Sequence, residues 1–121
     1  MPLPAIVDVY VREPPSAQLA IDLFEGEWTT EMPEHLGVQA GTLKLTQDPR
    51  IRWIIEQAQG VDGLDVLELG PLEAAHTYML EQAGAVVTAV ESNTRAYMRC
   101  LIVKELLALR GSTFMLGDSV P

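Results

Sequence analysis

An α/β fold with a mainly parallel sheet is predicted from three observations. From Asp48 onward, short apolar runs rich in β-branched residues alternate with segments of helical period. Glycines and capping residues fall at the joints between them. The resulting order, α-β-α-β-α-β, is that of parallel βαβ units with right-handed crossovers. The region before Asp48 differs in kind, because Pro2, Pro4, Pro14, Pro15 and Pro33 interrupt any long element. The chain therefore divides into an irregular N-terminal extension, 1–47, and a regular α/β portion, 48–121, on which the extension is expected to pack.

In order along the chain, the stretch from Ala5 to Val11 has the β-branched content of a short strand. Ser16 can cap a helix reaching Glu25, with Leu19, Leu23 and Phe24 on its inner face and Gly26 at its end. The segment from Trp28 to Gly41 reads as loop. Asp48-Pro49 then places a capping carboxylate before a proline at the first helical position, and Ile51, Ile54, Ile55 and Ala58 continue at helical spacing to Gly60. After a turn at Asp62-Gly63, the run from Leu64 to Leu69 is a strand, broken by Gly70-Pro71. A helix from Leu72 to Ala83 comes next, closed by Gly84. The nearly continuous apolar run from Ala85 to Val90 predicts a strand buried on both faces. Asn93 or Thr94 can cap a long helix through Leu109, with Met98, Ile102, Leu106 and Leu109 as its inward stripe. Gly111 ends that helix, and Thr113 to Leu116 makes the third strand.

Composition narrows the function classes. The 121 residues are 48% hydrophobic, enough for one packed domain and unlike a disordered chain. Asp and Glu outnumber Lys and Arg by 17 to 8, for a formal charge of −9, so phosphate backbones would be repelled and nucleic acid is not an expected partner. No run approaches the roughly 18 apolar residues of a membrane span, and the start Met1-Pro2-Leu3-Pro4 lacks the basic and apolar regions of a secretory signal. The chain reads as cytoplasmic, with no membrane association. A single cysteine, Cys100, excludes an internal disulfide framework and is expected to be a small buried side chain. No ligand cluster suggests a metal.

In open α/β sheets ligands bind at the carboxyl ends of the strands, and all three strand ends here carry suggestive residues. After the first, Glu68 precedes Gly70, whose backbone freedom suits a sharp turn and a close ligand approach; the free N–H groups of the next helix would face the same molecule. After the second stands Glu91, roughly 20 positions beyond Gly70, the place of a carboxylate that bonds ribose hydroxyls in nucleotide-binding sheets. After the third comes Gly117-Asp118, where a carboxylate could accept from an adenine amino group. Other polar residues have plainer readings. Glu73 suits the positive end of its helix, and His76, without an evident partner carboxylate, is structural. His35 is exposed, Trp28 and Trp53 are packing anchors, and Arg95, Arg99 and Lys104 form a solvated face.

With these residues identified, the chain resembles bacterial class I S-adenosylmethionine-dependent methyltransferases. The resemblance is carried by the run from Val66 to Leu80, with its Glu68-Leu-Gly-Pro-Leu-Glu-Ala-Ala-His-Thr-Tyr78 core, by Val87 to Asn93, and by Arg95 to Leu107; it covers about Asp48 to Asp118. It implies a Rossmann-like sheet, incomplete relative to a seven-stranded methyltransferase, with S-adenosylmethionine as cofactor. Glu68 and Gly70 would frame the methionine portion, Glu91 would hold the ribose hydroxyls, and Asp118 would lie near the adenine. The acceptor implied is a small molecule or glycan; no catalytic residue is nominated, since alignment of acceptor and sulfonium can carry most of the reaction. Two features depart from the family. Relatives have glycine where Ala74 and Ala75 stand, an added bulk that costs on the order of 1–3 kcal/mol if ligand meets main chain there. The chain also stops after the third strand. The alternative reading is therefore a truncated, non-catalytic remnant or interaction module that dimerises through its open sheet edge. Nicotinamide dinucleotide binding fits less well, because its fingerprint wants glycines where Leu72 and Ala75 stand.

Overall fold

The computed structural model describes residues 10–120. Three strands, β1 (Asp65–Leu69), β2 (Val86–Glu91) and β3 (Ser112–Leu116), pair in parallel in the order β1-β2-β3. Helices α1 (Ala17–Asp22), α2 (Pro49–Gln57), α3 (Ala75–Gln82) and α4 (Thr94–Leu107) accompany them. This is the Rossmann-like α/β arrangement expected from the sequence. The expected strand from Ala5 to Val11 falls mostly outside the described residues, and Tyr10 and Val11 are exposed and non-strand. No helix among the described residues is long and apolar enough to cross a membrane.

The caps read from the sequence form as expected. Ser16 accepts from the Leu19 N–H, Asp48 from the Arg50 N–H ahead of Pro49, and Asn93 from the Ala96 N–H. The inner faces differ. On α1 the buried side chains are Ile21 and, just beyond the helix, Phe24, whereas Leu23 is exposed. On α4 they are Ala96, Arg99, Cys100 and Val103; Met98 is exposed, and of the expected stripe only Leu109 is fully buried. Small residues let this helix approach the sheet closely, so the stripe of larger side chains turns to its flank. Trp28 is an anchor, its indole Nε1 donating to the Ile21 carbonyl at 2.7 Å, but Trp53 is exposed on α2.

Among the described residues the sheet is covered on one face only. Val87, Ala89 and Phe114 point into a core shared with Leu80, Cys100 and Val103. By the two-residue alternation of strands, Leu67, Leu69, Val86 and Met115 project from the other face, with exposures of 66%, 59%, 49% and 54%. The expectation that Ala85–Val90 is buried on both faces is thus corrected: an apolar run marked a central strand, but only one layer of helices lies on it.

Helix α4 ends earlier than Gly111, with Ala108 in the left-handed region at φ 53°. A Cβ there costs roughly 1–2 kcal/mol, and Ala108 is exposed, so nothing is gained from its methyl. Ala108→Gly is expected to stabilise the fold by about 1 kcal/mol; a thermal melt that shows no upward shift would contradict this.

Candidate cofactor site at the strand ends

The carboxyl ends of the three strands are stitched together at β2. The Gly70 N–H donates to the Val90 carbonyl and the Gly117 N–H to the Glu91 carbonyl, both at 2.9 Å. Gly70 (φ 68°), Leu72 (φ 55°) and Ala74 (φ 64°) all adopt left-handed backbone, so the turn after β1 winds through three such residues before α3 begins at Ala75. This delays the helix relative to its expected start at Leu72. It also relocates the cost of the missing glycines: the strained positions are Leu72 and Ala74, while Ala75 is helical.

Around this turn lie three carboxylates. Glu91 is buried; its Oε1 accepts from the Leu72 N–H at 3.0 Å and its Oε2 from the Asn93 N–H at 3.1 Å. One side chain thereby fixes both the glycine turn and the entry to α4. Glu68 accepts from the Thr77 hydroxyl on α3. Burial pushes its carboxyl above the ordinary range; Thr77 and His76 oppose the rise and Glu91 adds to it. Glu73, expected to face the helix dipole, is instead fully buried and reaches back to the extension, accepting from the Thr29 and Thr30 N–H groups at 2.8–3.0 Å. Cys100 is buried as expected, and its thiol is pushed up to about 12, first by burial and then by Glu91, Glu68 and Glu73. The three carboxylates therefore share one neighbourhood.

Asp118 is not part of it. Its side chain is exposed and its Oδ1 accepts from the Val120 N–H at 2.9 Å within its own turn. Gly117 brings the end of β3 alongside Glu91, but the carboxylate after it turns to its own chain.

Residues that read as solvated or structural acquire partners from distant sequence. Arg99 is buried, with its Nε 3.6 Å from Glu73 Oε2 and its Nη1 3.5 Å from Glu27 Oε1, and it stacks with Arg95 over the Phe24 ring. Lys104 donates to the Ser112 carbonyl at 2.6 Å. The supposed charged face of α4 is in part an internal clamp. His76 does have a carboxylate partner: its Nε2 lies 2.9 Å from Oδ2 of buried Asp48, which also holds the Arg50 guanidinium at 2.6–3.1 Å. Arg50 foremost, and His76 to a lesser degree, hold the Asp48 carboxyl well below the usual carboxylate range. The sequence marks Asp48 only as a helix cap, and nothing local pairs it with a histidine on another helix. Thr30, Arg50, Gly70, Leu72, Glu73 and His76 line a cavity of about 250 Å³ between the extension and the turn. Among the described residues no group of three His, Cys, Asp or Glu side chains is placed to hold a metal.

Because the Glu68 carboxyl is raised in the fold, its proton is bound more tightly there than in the unfolded chain. Its contribution to stability is present below the unfolded carboxylate pKa and is lost as pH rises through the folded value. Glu68→Gln is therefore expected to stabilise the protein at neutral pH, within the ~0.5–2 kcal/mol common for relieving a functional-site charge, and to flatten the gain otherwise seen on mild acidification. Urea titrations at two pH values measure both effects; a variant less stable at neutral pH would contradict them.

These features define a Rossmann-like α/β unit with a three-stranded parallel sheet. No protein-family model matches the sequence, and no curated protein matches it. Solved structures do match its fold. The N-terminal domain of EvdMO1 with SAH bound is 27% identical, with a TM-score of 0.64, over 84% of this chain and 44% of that one. The same domain crystallised in the presence of SAH and D-fucose is 23% identical, with a TM-score of 0.65, over 84% and 43%. Coclaurine N-methyltransferase bound to N-methylheliamine and SAH is 18% identical, with a TM-score of 0.53, over 85% and 36%. The chain spans less than half the length of each.

Proposed function

We propose that this chain binds S-adenosylmethionine and forms the cofactor-binding portion of a methyltransferase. The observation that carries the proposal is the meeting of Glu68 and Glu91 behind a left-handed turn at Gly70, at the end of a parallel sheet where α/β folds bind ligands. The likeness to the EvdMO1 domain, which was crystallised with SAH, supports the same reading.

Glu91 is the ribose-binding residue in this reading. Its two oxygens each accept one backbone bond, and an ionised carboxylate offers about four acceptor sites, so it retains capacity for the hydroxyls while the main chain holds it still. Gly70 and Glu68 frame the methionine portion, and the negative neighbourhood suits a sulfonium cation. Asp118, exposed and bonded within its own turn, is given no contact with the cofactor in this reading. The cofactor supplies an activated methyl group; the chain's own residues orient it and leave the acceptor, a small molecule or glycan, to be aligned in line with it. Residues beyond this half-sheet are needed to shape the acceptor pocket.

Calorimetric titration with S-adenosylhomocysteine tests the reading. Micromolar binding is expected, with NAD as a non-binding control; no heat at millimolar ligand overturns it. A second reading, a non-catalytic module that dimerises at its sheet, is favoured by the exposed Leu67, Leu69, Val86 and Met115 and by the unpaired outer edge of β1. The molar mass in solution decides it, and a monomer at high micromolar concentration removes it.

A further inference from the structure

Two residues with side chains, Leu72 and Ala74, hold left-handed backbone in the turn after β1, at φ 55° and 64°. Their situations differ. Ala74 is fully buried, so packing offsets part of its strain. Leu72 lies outside the core, is 42% exposed, and lines the cavity beside the turn. Aliphatic side chains avoid this backbone conformation, yet two buried groups keep Leu72 in it. Glu91 Oε1 accepts from its N–H at 3.0 Å, and the Cys100 thiol donates to its carbonyl at 3.3 Å. Both peptide units of the residue are thus fixed from behind while its side chain stays half in solvent. The fold alone does not explain that arrangement, and strain held in place at a cavity is a sign of function. A glycine here would relax the backbone and bare the main chain, which is how nucleotide-binding turns admit a diphosphate. At Leu72 the N–H is already taken by a carboxylate and the backbone carries a side chain, so the turn offers a diphosphate neither donor nor room.

We infer that Leu72 is a specificity-determining residue, held at the cavity so that its side chain packs against an uncharged, carbon-rich part of the ligand, the nucleoside with its adjoining thioether. The inference rests on the proposed S-adenosylmethionine binding and adds a contact that a glycine-rich turn could not supply. Glu91 and Cys100 act on this contact through the Leu72 backbone and are positioning residues for it. The carboxylate that takes the ribose hydroxyls in the proposed site therefore also sets the apolar neighbour of the same nucleoside.

Three variants separate the side chain from the backbone. Leu72→Ala shortens the side chain and keeps the strain, and Leu72→Gly removes both. Ala74→Gly relieves strain at a buried position that does not line the cavity. The probes are S-adenosylhomocysteine and 5′-methylthioadenosine, which keeps the nucleoside and thioether but lacks the amino-acid arm. Leu72→Ala and Leu72→Gly should each weaken both ligands by about fivefold or more, as expected when part of one aliphatic side chain loses its burial. The urea midpoint of Leu72→Gly should meanwhile stay unchanged or rise. Ala74→Gly should change either affinity by less than about twofold. A lowered midpoint in Leu72→Gly would give the side chain a structural role and overturn the inference. So would unchanged affinity in the Leu72 variants, a loss in Leu72→Gly alone, or an equal loss in Ala74→Gly. A loss confined to S-adenosylhomocysteine would place the contact on the charged arm and overturn it as well. Binding of neither ligand by folded wild-type protein overturns the cofactor reading, and this inference with it.

Discussion

Glu73→Ala is expected to cost the fold about 3–5 kcal/mol, the range for removing one partner from a buried charged network. Few side chains here hold as much together. The carboxylate takes the Thr29 and Thr30 N–H groups and faces the Arg99 guanidinium, all away from water. Alanine would leave two buried backbone donors unpaired, each with a desolvation cost of roughly 1–3 kcal/mol, and would leave the buried Arg99 only Glu27 and the Phe24 ring as partners. Against a total stability of about 5–15 kcal/mol for a domain of this size, much of the fold is at stake. Because the bonds join α3's entry to the extension, the loss should be uneven: residues 17–47 should become the first target of limited proteolysis. Glu73→Gln keeps an oxygen for the Thr30 N–H but brings an amide donor against Arg99, so an intermediate loss of about 2 kcal/mol is expected. An exposed control, Glu56→Ala on α2, should change stability by no more than about 0.5 kcal/mol. Urea titration followed by tryptophan fluorescence measures all three, and a Glu73→Ala loss below about 1 kcal/mol would show that the network is not what seats the extension.

The contrast between Glu73 and Glu91 shows where sequence reading succeeds on this chain. Element order, the caps at Ser16, Asp48 and Asn93, and the parallel α/β class all follow from local chemistry: periodicity, a side-chain oxygen before a helix, glycine at a joint. Glu91 is legible because its place, at a strand end about 20 residues past a glycine turn, is a relation within one βαβ unit. Glu73, Arg99 and His76 are misread from sequence because their partners are 26–72 residues away, and only the closing of the extension over α3 and α4 supplies them. The inward stripe of α4 fails for a related reason. Periodicity selects large side chains, but the sheet is met by Ala96, Cys100 and Val103, whose small size sets a close approach that no hydrophobicity scale rewards. The exposed sheet face is likewise invisible, since an apolar run is the same string whether one layer of helices covers it or two.

Glu91→Ala should weaken S-adenosylhomocysteine binding by about 100-fold, within the range expected when a buried, charged acceptor loses its hydrogen bonds to a ligand. Two effects add. In the proposed site the ribose hydroxyls lose their acceptor directly. The turn is loosened as well, because Oε1 is what holds the Leu72 N–H, and Leu72 sits in a left-handed conformation that an aliphatic side chain does not choose unaided. Glu91→Gln separates them. Its amide oxygen can still take the Leu72 N–H and preserve the turn, while its NH2 group replaces the acceptor that faces Asn93 N–H and the ligand; a loss of about tenfold is expected. Asp118→Asn, altering an exposed carboxylate bonded within its own turn, should change affinity by less than about threefold. If Glu91→Ala and Glu91→Gln weaken the ligand to the same degree, the residue acts on the ribose and the turn is incidental. If Glu91→Ala remains folded and binds S-adenosylhomocysteine as tightly as the wild type, Glu91 is a structural clamp for the turn alone, and the ribose must be sought elsewhere on the sheet.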